Sequence, residues 1–491
     1  VTSFSPTVLC VAIAAAVALP GPARAEATVT VDASSTVRTV DPRAFGLNTA
    51  VWDGAFADPA TLDALTETDV RFLRFPGGST SDDYHWESGD DAEGKPHSYI
   101  DFDTFAATAV TLGSEVVITV NYGSGTPEEA ARWVAYSNGE RGYGFRYWEI
   151  GNECYGSWEV DKQPVAHDAY TYAVRAAAYM KAMSAADPSI RIGIVGTNSE
   201  DGDSNGHVSH PAMNPRTGAV HNGWTPVVLA TLKSLGAVPD FFIYHRYDQA
   251  PGKEDDAKLL QSSHTWPDDI AVIRSALNDY MGESGPGIEI VVTENNQVYS
   301  DPGKQSTSLV NALFMADSVG NVLQTEVNGL VWWDLHNGQE TKNNNSDSLY
   351  GWRKYGDYGI ESPGHDRYPT FYSAKLLSKF ARGGDTVVRA SSDNPLVSAY
   401  AVRNQGGGLS LLLINKSPSE RSETHVAIHG FERGRQATLT TYGIAQDQAA
   451  KAKTGATDLD ARVLEDVSGA ITVGLEPYSL TLIAFGPATP R

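Results

Sequence analysis

Cysteine is close to absent from this chain: two in 491 residues. Cys10 falls in an N-terminal apolar stretch, and once that stretch is removed Cys154 stands alone. No intrachain disulfide can then form, and stability must come from a buried core, which this length supplies. Positive charge is also scarce, with 37 Lys and Arg against 60 Asp and Glu and a net charge of −23. A surface of that sign repels nucleic acid, anionic lipid and polyanionic polysaccharides, so none of these is expected as a partner. Apolar runs of membrane-spanning length, roughly 20 residues, are missing too. The run Val8 to Leu19 is shorter, and Ala23, Arg24 and Ala25 after it form a small-x-small cleavage site. Residues 1–25 therefore read as a secretory signal, although no Lys or Arg precedes the run. The mature protein is expected to be soluble and extracellular, and losing Arg24 takes its net charge to −24. No internal repeat is visible.

What is present is an alternation of short β-rich runs with helix-length segments, repeated eight times from Arg43 onward. The strand runs are Phe45–Asn48, Val70–Phe75, Val116–Asn121, Tyr147–Glu153, Ile190–Gly196, Phe241–Tyr247, Ile288–Glu294 and Gly329–Asp334. Several are apolar until their last residue, as parallel strands covered by helices on one side and a core on the other should be. After the third run, Thr126 can serve as N-cap with Pro127 at the first helical position. Glu129 completes a capping box, and Gly139 suits a left-handed C-terminal cap. Eight such pairs predict a (β/α)₈ barrel over residues 41–381. Beyond it, residues 382–491 change to alternating strands separated by turn residues and without a helix of comparable length, which predicts an antiparallel β-sandwich. The early run in residues 26–40 is expected to join that sandwich, and the acidic stretch Ala449–Asp466 is expected to be a surface excursion.

Catalytic groups of a barrel sit at the C-terminal ends of its strands. Three polar residues end apolar strands here: Arg74 in RFLRFPGGS, Glu153 in WEIGNECYG and Glu294 in VVTENN. Either glutamate alone is unremarkable at a strand end. A pair on the fourth and seventh of eight strands is the arrangement that glycoside hydrolysis requires, one carboxyl protonating the leaving oxygen and the other attacking the anomeric carbon or activating water. A proton donor needs a raised pKa, for which Trp148 and Tyr155 offer apolar surroundings; a nucleophile must stay ionised, for which Arg74 is the cationic neighbour and Tyr247 a hydrogen-bond donor. Strand alternation puts His245 and Tyr247 on one side of the sixth strand. Trp332 or Trp333 on the eighth can form an apolar platform for a sugar ring, the other belonging to the core. Asn48, Asn121 and Asn152 complete the candidate polar set. The segment Asn337–Arg367 is expected to wall the cleft.

RFPGGSTSDDYHW (74–86), GSGTPEEAARWVAYSNG (123–139) and WEIGNECYG (148–156) resemble segments of the family 51 α-L-arabinofuranosidases, retaining glycoside hydrolases of clan A. The resemblance covers about residues 40–380 and, more weakly, the C-terminal part. It implies a secreted enzyme acting on arabinose-containing polysaccharides or oligosaccharides, with Glu153 as acid/base, Glu294 as nucleophile and Asn152 holding the substrate 2-hydroxyl. Two departures touch the sugar pocket. The first strand carries Asn48 in the region where the family has a sugar-gripping glutamate, and Glu294 stands in Thr-Glu-Asn-Asn rather than Asp-Glu-Trp-Asn. A galactofuranosidase, a xylosidase or an endo-acting β-glycanase therefore stays open. So does a non-catalytic carbohydrate-binding protein on a decayed barrel, against which the retained ionisable groups argue.

Cys154 beside Glu153 reads as a small buried packing residue, since no histidine partner is evident in sequence. DGDSNG (201–206) matches the first half of a calcium loop, but Ala212 occupies the twelfth position, where a bidentate glutamate belongs, so a plain turn is expected. His207 and His210 are spaced loosely for zinc. No catalytic metal and no cofactor are expected.

Overall fold

The computed structural model describes residues 25–165, 168–202 and 210–487; the signal segment, His207 and residues 203–206 of the DGDSNG motif lie outside the described residues. The strand before the barrel is β1 (Ala25–Thr39), followed by β2 (Gly46–Asn48), β3 (Phe72–Phe75), β4 (Glu115–Val120), β5 (Tyr147–Ile150) and β6 (Arg191–Val195). A small hairpin of β7 (Ala212–Met213) and β8 (Val220–His221) precedes β9 (Phe241–Gln249), β10 (Glu289–Val298) and β11 (Gly329–Trp332). The strands β10-β11-β2-β3-β4-β5-β6-β9 close into a barrel, and every neighbouring pair in it is parallel. Each barrel strand is followed by a helix, from Pro59–Thr68 after β2 to Pro369–Phe380 after β11, so the expected (β/α)₈ barrel is what the chain forms. Among the described residues no helix is long and apolar enough to cross a membrane.

The sequence signals at the third helix hold at one end only. The Thr126 hydroxyl accepts from the Glu129 amide and Pro127 begins the helix. The Glu129 carboxylate turns instead to His85 Nδ1, 2.9 Å away, so it takes no part in a capping box. Gly139 is no left-handed cap, because the chain continues from Val134 into a π-helical turn over Ala135–Glu140; the left-handed glycine is Gly142, φ 69°.

After the barrel come β12 (Thr386–Ser392), β13 (Val397–Arg403), β14 (Leu409–Asn415), β15 (Ser422–His429), β16 (Arg433–Gly443), β17 (Asp460–Leu464), β18 (Ile471–Leu475) and β19 (Ser479–Pro487). They form one curled sheet in the order β17-β16-β19-β14-β13-β12-β1-β15-β18, antiparallel except where β1 runs parallel to β15. Strand alternation divides its apolar side chains between two cores. Leu412, Ile414, Leu480 and Leu482 face the barrel, while Leu409, Leu411, Leu413 and Phe485 fill the interior of the sandwich. That double burial makes β14 apolar throughout. Between sheet and barrel lies the helix Leu309–Val322, buried along its whole length. There the Tyr400 hydroxyl donates to Asp317 Oδ1 (2.7 Å) and accepts from Asn321 Nδ2 (2.7 Å), and Lys416 Nζ meets Asp317 Oδ2 at 3.3 Å. The acidic stretch after Ala449 is more ordered than expected. It holds the end of a helix, Ile444–Ala452, and the exposed edge strand β17.

Candidate active site

The polar residues of this site gather at the C-terminal ends of β3, β5, β9 and β10, around a cavity of about 820 Å³. Arg74 lies in β3 and is fully buried. A buried guanidinium needs anionic partners on its donors, and this one has four contacts. Nε meets Glu149 Oε1, Nη1 donates to Glu294 Oε1 (2.7 Å) and Asn48 Oδ1 (3.0 Å), and Nη2 donates to Asn152 Oδ1 (2.8 Å). Glu149 also accepts from Thr119 Oγ1 at 2.5 Å. A carboxylate inside the otherwise apolar run YWEI marks Glu149 out in the sequence. Its position two residues before the turn puts it on the inward side of β5.

Glu294 lies within β10, not at its end, because the strand runs on to Val298. Between Val292 and Glu294 the register slips: Val292 faces Tyr244 of β9, yet Glu294 faces His245. The slip re-aims the strand locally, as bulges near functional sites do, and brings Thr293 and Glu294 to the same histidine. His245 Nε2 lies 2.9 Å from Thr293 Oγ1, and its Nδ1 lies 3.6 Å from Glu294 Oε2. The Tyr247 hydroxyl donates to Glu294 Oε2 at 2.6 Å, so both carboxylate oxygens of Glu294 are held. The two asparagines after it tie strands together: Asn295 Nδ2 donates to the Arg246 carbonyl of β9 (2.7 Å) and Asn296 Nδ2 to the Trp333 carbonyl.

Glu153 does not end a strand. β5 stops at Ile150, Gly151 turns the chain with φ 73°, and Glu153 follows in the left-handed region at φ 41°, a conformation that costs a non-glycine residue on the order of 1 kcal/mol or more. Asp82 fixes the turn by accepting from the Asn152 amide (3.0 Å) and the Tyr122 amide (3.1 Å). Glu153 Oε1 then accepts from the Tyr155 hydroxyl (3.0 Å) and meets His245 Nδ1 (2.9 Å), and Oε2 accepts from Trp158 Nε1 (3.0 Å). The expected raised pKa is not found. Burial works to raise it, but the hydrogen bond and charge of His245, with the bonds from Tyr155 and Trp158, hold the carboxyl below its ordinary value. His245 moves the other way. Burial alone would lower it, and the charges of Glu294 and Glu153 bring it above the usual histidine value. Each shift favours the charged form of its group, so the two steady one another. One carboxylate oxygen each from Glu153 and Glu294 and a ring nitrogen of His245 lie within 4.8 Å of one another.

Other candidates divide between the cavity and its surroundings. Trp333 lines the cavity, and its ring passes so close to Gly78 that a Cβ there would lie 2.7 Å from Cη2. Trp332 is buried against Phe314 and is not a platform. Asn48 points into the barrel, donating to the carbonyls of Thr293 (2.9 Å) and Trp332 (3.3 Å), so it supports Arg74 and offers the cavity nothing. Asn121 bonds Ser124 and the Tyr84 carbonyl and also stays outside the lining. Trp148 lies on the helix side of β5, edge-on to Trp133, and gives Glu153 no apolar cover. No residue of Asn337–Arg367 reaches the lining; its place at the mouth is taken by Tyr299, exposed as Trp158 is. Cys154 is buried with its thiol toward Asp82 (3.8 Å), and burial pushes the thiol up, as suits a packing residue. The sequence reading missed Glu159. Its Oε1 accepts from Asn152 Nδ2 (3.0 Å) and Ser79 Oγ (2.8 Å), and burial with the charges of Asp82 and Glu153 pushes it up to about 9, so it is neutral at pH 7. Near the hairpin, Asp201 Oδ2 lies 3.0 Å from His221 Nδ1, and the His210 ring stacks on Tyr170.

No family model matches the chain. Over 165 residues it is 32% identical to the probable alpha-L-arabinofuranosidase C of Aspergillus fumigatus, a match covering 28% of this chain and 31% of that protein. The chain thus spans about a third of the length of several curated relatives it matches. It is 23% identical over 459 residues to the exo-alpha-(1->6)-L-arabinofuranosidase of Bifidobacterium longum, covering 80% of this chain and 83% of that one. Among solved structures, an alpha-L-arabinofuranosidase from Thermotoga maritima aligns over 94% of this chain and 99% of its own with a TM-score of 0.71 and 18% identity. A bifunctional glucanase-xylanase from a metagenome library aligns over 95% and 100%, with a TM-score of 0.68 and 18% identity. The chain has the fold of the family 51 arabinofuranosidases, and these relatives in sequence are named alpha-L-arabinofuranosidases.

Proposed function

We propose that this protein is a retaining glycoside hydrolase releasing α-L-arabinofuranose from polysaccharides or oligosaccharides, with Glu294 as nucleophile and Glu153 as acid/base. The observation that carries the reading is the facing of two carboxylates across one cavity, with one oxygen of each within 4.8 Å of the other. Retaining enzymes hold their carboxyl groups about 5–5.5 Å apart, whereas inverting ones leave room for a water at about 6.5–9.5 Å. Glu294 is paired with Arg74 and positioned by Tyr247 for attack on the anomeric carbon. The proton for the leaving oxygen resides on the His245–Glu153 pair. As Glu294 becomes an ester it loses its charge, and with it much of what keeps the proton on His245. The pair turns more acidic as the leaving oxygen turns more basic, and Glu153 delivers the proton. Water attacks the ester in the second step, with Glu153 as the base.

The leader-like run at Val8–Leu19 supports action outside the cell, where polymeric substrates are found. A second reading, another sugar specificity on the same mechanism, is favoured by Asn48, which is engaged with Arg74, Thr293 and Trp332 where the resembled family presents a glutamate. Glu294→Ala tests the mechanism. Turnover should fall by on the order of 10⁴-fold or more, with azide restoring product of inverted configuration; near-normal activity would remove Glu294 from the mechanism. Released sugars from a panel of aryl furanosides and pyranosides, arabinan, arabinoxylan and β-glucan separate the two readings.

A further inference from the structure

A second cluster of ligating side chains lies outside the catalytic cavity, where the segment after β11 meets the segment after the neighbouring β2. His336 is fully enclosed, with Nε2 lying 3.0 Å from Glu361 Oε1. His365 approaches the same oxygen with Nδ1, at 3.4 Å. The far nitrogen of each ring meets a carboxylate: His336 Nδ1 lies 2.8 Å from Asp53 Oδ2, and His365 Nε2 lies 3.2 Å from Asp58 Oδ2. The two rings stand 72° apart, their centroids separated by 5.8 Å. His365 occupies the left-handed region, at φ 63°. Arg367 keeps Nε 4.0 Å from Glu361 Oε2 and gives its other donors to Glu67, and the buried Asp357 is a further charged neighbour of His336.

We propose that His336, Glu361 and His365 form a binding site for a divalent ion of the zinc class. Three features converge on this reading. The donor set, two imidazoles and one carboxylate, is one that zinc favours. Ligand atoms at 2.0–2.1 Å from a tetrahedral ion lie about 3.4 Å apart, and two of the three separations here are 3.0 and 3.4 Å, with all three donor atoms within 4.8 Å. Each histidine has its outer nitrogen on a carboxylate, the outer-shell pattern of zinc sites, and the ion would take the place of any proton between its inner nitrogen and Glu361. A hollow of about 370 Å³, bordered by Trp52, Asp58, His336 and Pro363, gives an entry path and room for a water as fourth ligand. The ion would fasten the segment after β11 to itself, and Asp53 and Asp58 link its histidines to the loop after β2. Its role is structural, outside the catalytic cavity, and it takes no part in bond cleavage.

Zinc chloride titrated calorimetrically into the full chain after chelator treatment tests this directly. One zinc per chain is expected, with a higher thermal midpoint, and His365→Ala should weaken binding by tenfold or more. His365 is a partly exposed loop residue, so a folding defect is checked by circular dichroism. X-ray absorption at the zinc edge needs no variant: this site supplies two imidazole ligands, whereas the Glu153–His245–Glu294 cluster supplies one. Absence of binding, affinity unchanged in His365→Ala, or a spectrum with a single imidazole would each overturn the proposal.

Discussion

Glu294 and Glu153 face one cavity from opposite kinds of structure. Glu294 belongs to a continuous strand, is nearly inaccessible, and has both oxygens held by Arg74 and Tyr247. Glu153 stands three residues beyond its strand, in a left-handed turn and more open to solvent, with its oxygens shared among His245, Tyr155 and Trp158. The first is anchored by the core of the barrel, the second by loops. A nucleophile profits from a fixed line of attack; a proton carrier must follow leaving groups of different shapes and act twice.

If that contrast is right, removing the core anchor should do the most damage. Arg74→Ala leaves Glu149 and Glu294 buried without their cation, and stability should fall by about 3–5 kcal/mol in denaturant unfolding; a loss under 1 kcal/mol would mean that the anchor is not structural. Glu153→Gln should leave the fold intact, giving up the pairing with His245, and act mainly on chemistry. Poor leaving groups should lose on the order of 10²–10⁴-fold in kcat/KM and activated aryl glycosides far less, so equal losses on both series would take the proton-donor role from Glu153. His245→Asn sharpens the comparison through pH. The depressed Glu153 contributes stability that is present above its unfolded value near 4.5 and lost as pH falls through the folded one; the raised His245 contributes below its unfolded value near 6.5 and loses that contribution as pH rises through the folded one. Both terms are in force between about pH 4.5 and 6.5. The difference in thermal midpoint between wild type and His245→Asn should peak there and shrink on both sides, and a flat difference would dissolve the ion pair. The smallest effect is expected at the rim. Gly78→Ala adds a Cβ at φ 46° against the Trp333 ring, which should raise KM several-fold with kcat nearly kept, at a cost of about 1 kcal/mol in stability.

The barrel was legible because burial on two sides writes continuous apolar runs, as in VVITV of β4. The same logic made β14 readable, since it too has a core on each face. Glu294 was found through composition at a strand end, but its aim was not, because the bulge after Val292 breaks the alternation from which direction is inferred. Glu153 was placed on a strand that a left-handed glycine ends three residues earlier. The pairing of Glu153 with His245, which reverses the expected pKa shift, joins residues 92 positions apart and leaves no local mark. Trp332 and Trp333 illustrate the middle case: alternation says that one faces outward without saying which, and the ties from Asn295 and Asn296 decide it.

The place of β1 in the sandwich has a consequence for how the chain is made. Synthesised before any barrel strand, it lies between β12 and β15, and its Val29 pairs with Ser392 and Val426. During translation it therefore has no sheet to join until more than 350 further residues have emerged. The barrel, whose strands pair with near neighbours in the chain except where β11 closes on β2, is free to fold in the interval. Closure of the sandwich is then the last event, a long-range and slow one, and until it happens both β12 and β15 present open edges to any other strand nearby. Aggregation of the nascent or refolding protein should start there, and a chain lacking residues 25–39 should keep that hazard permanently.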